Sequence, residues 1–305
     1  MRSSPRTAWA YGLLAAALWS PHFYVVESLR AGGVPPVALA FHLLLWPAAA
    51  CAVWLFVRGR VGELLVFKRR ETQFLILAAV GGYGFWALRM MALESAGGPP
   101  VRVLFYMAPL MMALLSMFGR EKPDGKAFWG LVVGLAGCLA LVRGGSPDGV
   151  WTGAVQGKLL GLGAAVCWAA FSVMARPIVR EERILPVVAL VTGIGAVCVG
   201  VTCLSRGENP FQLSPLQLRT VGITGLVTVG LMTAAWLKCL ADTPPAQGAL
   251  LWYLAPLFGL VPGWHLGVDI GWTLAGALLV AFALRIALRR PTRSSVTMGD
   301  VIRSG

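Results

Sequence analysis

Polar residues arrive in clusters along this chain, and apolar residues fill the intervals between them. From Ala8 to Leu288 the apolar runs are each about 17 to 22 residues long, which is what an α-helix needs to cross a hydrocarbon core. Breaks at charged clusters and Gly/Pro turns delimit spans near 8–26, 36–57, 73–91, 101–118, 127–143, 158–175, 185–204, 219–238, 247–262 and 272–289. The pattern therefore predicts an all-α membrane protein with ten transmembrane helices.

Composition agrees with that class. Of 305 residues, 57% are hydrophobic and 13% charged, with a mean hydropathy of +0.74. A soluble domain carries roughly 25% charged residues, so this chain lacks the polar surface to be one. The first segment has no small-x-small cleavage site and is followed by the rest of the array, so it reads as a span and not a signal peptide.

The net charge of +13 raises nucleic acid as a partner. The basic residues, however, sit in short clusters between apolar spans, so an anionic bilayer surface is expected and nucleic acid is not. With a cytoplasmic N-terminus, only Arg30, Arg89, Arg102, Arg143, Lys158, Arg206 and Arg219 of the 26 basic residues fall outside or near that face. The rest lie inside, as the positive-inside rule requires. Both termini are thus expected in the cytoplasm, and residues 291–305 form a polar basic tail.

Two stretches reveal an internal repeat. FYMAPLMMALL begins at 105 and WYLAPLFGL at 252, so Pro109 and Pro256 stand 147 positions apart. YGLLAAALWSPHF (11–23) likewise matches LGLGAAVCWAAFS (160–172), placing Trp19 and Trp168 149 apart. Each half, 8–143 and 158–290, holds five spans. Five is odd, so the second half enters the membrane from the opposite side, and an inverted repeat implies alternating access around a site between the halves. Pro109 and Pro256 are predicted helix kinks, since neither can donate to the carbonyl four residues earlier, that of Phe105 or Trp252. Such breaks are tolerated beside a cavity; a packing kink is the alternative.

Ionisable and aromatic groups within the spans supply the candidate substrate-binding residues. Arg89 could hold a carboxylate or phosphate in bidentate fashion, or else reach out to the interface. Phe85 and Trp86 lie on neighbouring faces of the same helix. Trp19 and His22 could line the same cavity, His22 either as an interhelical hydrogen bonder or as a proton carrier. Trp168, Trp236, Trp252, Tyr106 and Tyr253 offer flat amphipathic walls, a role that competes with anchoring at the membrane interface. His42, Glu27 and Arg102 are weaker candidates.

Other chemistries have no signature here. No acidic residue sits at mid-span, which disfavours a lipophilic-cation pump, and no P-loop is present. No Ser/His/Asp set or metal cluster is arranged for catalysis, and the six cysteines lie in or beside apolar spans without C-x-x-C spacing. Neither an enzyme activity nor a cofactor is expected, and self-association is not legible.

The ordered features resemble the drug/metabolite transporter superfamily, in a form with two EamA domains. They are a Gly-…-Ala-Ala-…-Trp first span in each half, the turns GGPP (97–100) and DTPPA (242–246), and the Tyr-x-Ala-Pro-Leu segments. Gly119-Arg120-Glu121-Lys122 and the Gly-rich GLVVGLAGCLAL complete the series. Departures are Glu27 and His42, where many relatives are basic, and GWHLGVDIG in place of a second Gly-Glu loop. The resemblance implies ten helices, a cavity lined by spans 1, 3, 4, 6, 8 and 9, and metabolite export across a bacterial inner membrane. Phe85, Trp86 and Arg89 resemble cavity-lining positions of the aromatic amino-acid exporter branch. The expected function is a secondary transporter, an exporter of small amphiphilic metabolites with amino acids first. Nucleotide-sugars or other phosphorylated metabolites are the alternative substrates, and an intramembrane enzyme or non-transporting receptor the alternative classes.

Overall fold

A computed structural model describes residues 5–119, 123–145, 153–263 and 270–288. All regular structure among them is helical. The first half comprises α1 (Pro5–Trp19), α2 (His22–Ala31), α3 (Pro36–Val57), α4 (Glu71–Ala96), α5 (Gly98–Ser116) and α6 (Gly125–Gly145). The second comprises α7 (Val155–Val179), α8 (Ile184–Ser205), α9 (Pro215–Asp242), α10 (Pro245–Ala249), α11 (Ala255–Gly263) and α12 (Ile270–Leu288). The 120–122 part of the Gly-Arg-Glu-Lys loop, linker residues 146–152, residues 264–269 with His265, and the 291–305 tail lie outside the described residues.

Helices α3 to α9 are each long and apolar enough to cross a membrane, judged by length and composition. The other three expected spans correspond to the pair α1–α2, the pair α10–α11, and α12. The first of these was expected to be continuous over 8–26 but is broken at Ser20–Pro21. Pro21 has no N–H to give to the preceding turn, so α1 stops at Trp19 and α2 restarts at His22.

Irregular backbone recurs at matched places in the two halves. Helix α4 contains a π-helical stretch at Ala78–Gly84 and α9 one at Gly225–Leu231, 147 positions later. Helix α5 is interrupted by a turn at Tyr106–Met107, just ahead of Pro109. Between α10 and α11 the chain tightens into a 3₁₀ stretch, Leu250–Leu254, just ahead of Pro256.

Contacts between the halves show the same pairing. Helix α3 packs on α8 and α6 on α12, each on its own counterpart. The contact of α4 with α7 is matched by that of α9 with α1, and that of α5 with α7 by the α10–α11 segment on α1. Glycines allow these approaches. A Cβ on Gly82 would lie 2.4 Å from the Val191 carbonyl oxygen and 3.1 Å from Gly195 Cα, and one on Gly137 would lie 3.0 Å from the Gly276 carbonyl oxygen. Close backbone contact of this kind is how helices associate where no water drives them together.

Large apolar side chains such as Phe56, Val57, Trp129, Val197, Val201 and Leu278 face outward, a surface suited to lipid. Charged links close the two ends. At one end Arg70 pairs with Glu181 and Glu182, and Arg183 with Glu63 at 2.6 Å. At the other, Arg206 pairs with Glu94 at 2.9 Å and Arg102 with Glu27 at 3.1 Å. Each pair joins segments that the charge alternation assigns to one side of the membrane.

Candidate functional site

The breaks in the helices bring aromatic side chains together where the halves meet. Trp19, the last residue of α1, stacks on His22 at 4.4 Å between ring centroids, and lies parallel to Trp168 of α7 at 6.4 Å. Trp252, on the 3₁₀ stretch, meets both indoles edge-on at 6.0 and 5.6 Å. Phe85 approaches Trp168 at 5.1 Å and Trp86 at 5.0 Å, while Trp236 of α9 adjoins Trp252 at 5.3 Å. Tyr106 joins through Phe105 and Phe23. Nine of the ten sequence candidates thus form one buried cage. Tyr253 is the exception: its ring lies against Gly134 of α6, where an added Cβ would sit 2.3 Å from it.

Arg89 reaches the cage from α4, one helical turn beyond Phe85. It is 1% exposed, so it does not reach out to the interface. Its guanidinium carbon stands 5.4 Å from the Trp19 ring centroid and 5.0 Å from that of Phe23, within the range of cation–π attraction. Nη1 is 2.9 Å from His22 Nε2, and His22 Nδ1 is 2.7 Å from Thr228 Oγ1.

The direction of this chain follows from its chemistry. Arginine only donates, so His22 Nε2 accepts, and the imidazole is neutral with its proton on Nδ1. That proton goes to Thr228 Oγ1, whose hydroxyl donates to the Thr224 carbonyl at 2.8 Å. His22 thus bridges α4 and α9 by hydrogen bonds.

Other donors have no partner among the described residues. They are Nε and Nη2 of Arg89, the indole N–H groups of Trp19, Trp168 and Trp252, and the Ser20 hydroxyl. The Trp236 indole, by contrast, donates to Ser172 Oγ at 3.0 Å.

Towards the end of the bundle that holds Glu27, a pocket of about 40 Å³ is lined by Ser20, Phe23, Tyr24, Arg102, Tyr106 and Pro256, among others. That is far below the roughly 300 Å³ of a small-molecule site. The Phe23 ring links this pocket to the cage, with the guanidinium carbons of Arg89 and Arg102 at 5.0 and 5.7 Å from its centroid.

Profile comparison matches residues 7–143 and 155–289 separately to the EamA-like transporter family, together most of the chain. The chain belongs to the EamA-like transporter family. A Bacillus subtilis (strain 168) protein described as the uncharacterized transporter YyaM is 22% identical over 262 residues, spanning 83% of this chain and 84% of its own. A solved crystal structure, also 22% identical, superposes with a TM-score of 0.77 and covers 93% of this chain and 97% of its own. As an EamA-like transporter the chain is a multi-pass membrane protein with a small-molecule substrate, built from two copies of one repeat.

The remaining sequence candidates sit outside the cage of this EamA-like transporter. His42 Nε2 bonds the Pro210 carbonyl at 2.7 Å in the α8–α9 connection. Glu27 and Arg102 hold each other at the pocket. Sequence reading missed Phe23, Phe105 and Thr228 as neighbours of the site. The repeat could have found Phe105, which lies 147 positions before Trp252. Phe23 is concealed by the break at Pro21, and nothing in the local sequence distinguishes Thr228.

Proposed function

We propose that this EamA-like transporter is a secondary transporter, an exporter that passes small amphiphilic metabolites bearing a carboxylate across the bacterial inner membrane. Amino acids are the first members of the class to test. The chain crosses the bilayer ten times with both termini in the cytoplasm, as two five-helix repeats of opposite orientation, 8–143 and 158–290. Alternating access then exposes the cage by rocking one repeat against the other.

One observation carries this reading: a buried arginine with donors to spare stands inside an aromatic cage at the junction of the halves. A guanidinium with two unmet donors in a membrane interior is costly, and a carboxylate on the substrate answers that cost. Supporting features are the matched π-helical and proline-broken segments, the places where lined cavities form in membrane bundles.

Reconstituted liposomes loaded with labelled amino acids and related acids test the proposal. Counterflow should appear and should fall at least tenfold in Arg89→Ala. Equal flux from empty and protein-containing vesicles for every metabolite offered would overturn it.

A further inference from the structure

We infer that the cage is a site for a monocarboxylate with a flat apolar body, and that it rejects the zwitterion of the same shape. The inference rests on the transport reading above and narrows its substrate, placing simple acids ahead of the amino acids named there.

With Nη1 engaged by His22, Nε and Nη2 of Arg89 are left without partners. These two nitrogens form one side of the guanidinium, and their parallel N–H bonds match the two oxygens of a carboxylate. The indoles of Trp19, Trp168 and Trp252 can only donate. All these groups ask for acceptors.

Arg102 is offset by Glu27, which accepts from it at both carboxylate oxygens at 3.1 Å. His22 is neutral, because it accepts from Arg89. The site therefore carries one net positive charge, and a monoanion brings it to zero. A zwitterion leaves that charge uncompensated and adds an ammonium, for which the cage residues supply no carboxylate. A dianion overshoots. In an apolar interior, a charge left without its counterpart is strongly disfavoured.

The difference between the halves orients the ligand. The position matching Arg89 in the second half is Trp236, 147 residues on, and that matching Thr228 is Gly81. His22 is matched by Phe171, 149 residues on, whose ring lies so close to Gly81 that an added Cβ would fall 2.3 Å from it. The polar chain Arg89–His22–Thr228 thus stands opposite an apolar one. A carboxylate at Arg89 leaves an aromatic or branched body among Trp168, Trp252 and Phe105.

The test uses the full-length wild-type protein in detergent with four probes: 3-phenylpropanoate, phenylalanine, phenethylamine and phenyl phosphate. Calorimetric binding and thermal stabilisation are both read, since a ligand of the folded state stabilises by mass action. 3-Phenylpropanoate should bind about tenfold or more tighter than phenylalanine and phenyl phosphate, a gap of about 1.4 kcal/mol or more, with no response to phenethylamine. In Arg89→Gln the preference for the acid over the amino acid should vanish. The inference is overturned by phenylalanine or phenyl phosphate binding as tightly as the acid, by no response to any probe, or by a preference that survives Arg89→Gln. Liposome flux separates the two claims. Flux of phenylalanine equal to that of the acid defeats this inference and keeps the transport reading; tight binding of the acid without flux does the reverse.

Discussion

Gly82→Ala adds a single methyl group where α4 crosses α8, and its consequence follows from the backbone around it. The new Cβ would lie 2.4 Å from the Val191 carbonyl oxygen and 3.1 Å from Gly195 Cα. Carbon–oxygen contacts settle near about 3.3 Å, so the helices must part by about 1 Å. No flexible side chain can yield instead, because both neighbours are main chain. Overpacking of this kind costs about 1–3 kcal/mol, against which removal of a helical glycine returns up to about 1 kcal/mol. A net loss of about 1–2 kcal/mol is expected. The displacement also reaches the cage, because Phe85 and Arg89 lie one and two turns along α4. The assay is the melting temperature in detergent together with substrate counterflow in liposomes, with Gly163→Ala as the comparison. There the added Cβ meets only the end of Leu88, at 3.3 Å. Gly82→Ala should melt several degrees lower and transport less, while Gly163→Ala behaves as wild type. Wild-type melting and flux in Gly82→Ala would refute the claim that backbone contact between α4 and α8 holds the cage in register.

Three further outcomes follow from other parts of the molecule. Pro109→Ala restores a backbone donor beside the break at Tyr106–Met107 and should keep or raise the melting temperature while counterflow falls; unchanged flux would count against a role for the break in transport. Glu27→Gln strips Arg102 of its partner and should lower the melting temperature, whereas the swap of Glu27→Arg with Arg102→Glu should recover it; a double-mutant cycle is expected to give a coupling of about 0.5–3 kcal/mol, and a coupling of zero would dismiss the pair. Glu63, in the loop after α3, is held below its ordinary value of 4.5 chiefly by its hydrogen bond from Arg60, with Arg183 contributing. A lowered carboxylate stabilises the fold above the unfolded value and loses that contribution as pH falls through the lower folded one. Melting curves below about pH 4.5 should therefore drop more steeply for wild type than for Glu63→Gln, and by a small amount because the group is partly open to solvent; parallel curves would contradict this.

Much of the architecture was legible because membrane helices announce themselves by length and apolarity. The offset of 147 between Pro109 and Pro256 reappears in the π-helical segments of α4 and α9, although no residue type signals a π turn. The cage was legible as a set of residue types: large aromatics and one arginine are conspicuous among small aliphatic side chains. Their mutual placement was not. The break at Pro21 redirects His22 and Phe23 after Trp19, and a pattern that reads α1 and α2 as one helix misplaces both. Thr228 escaped notice because its partner His22 lies 206 positions away, and only the fold brings them to 2.7 Å. Tyr253 matched Tyr106 in sequence yet turns towards α6, where Gly134 leaves room for its ring.

The parallel indoles of Trp19 and Trp168, one from each half, have a practical consequence. A molecule taken up in the proposed site would lie beside these rings and change their polarity and mutual coupling. The protein thus carries a built-in optical gauge at its midpoint. A variant that keeps only these two of the chain's twelve tryptophans should report the proposed opening through its own emission, without an attached dye.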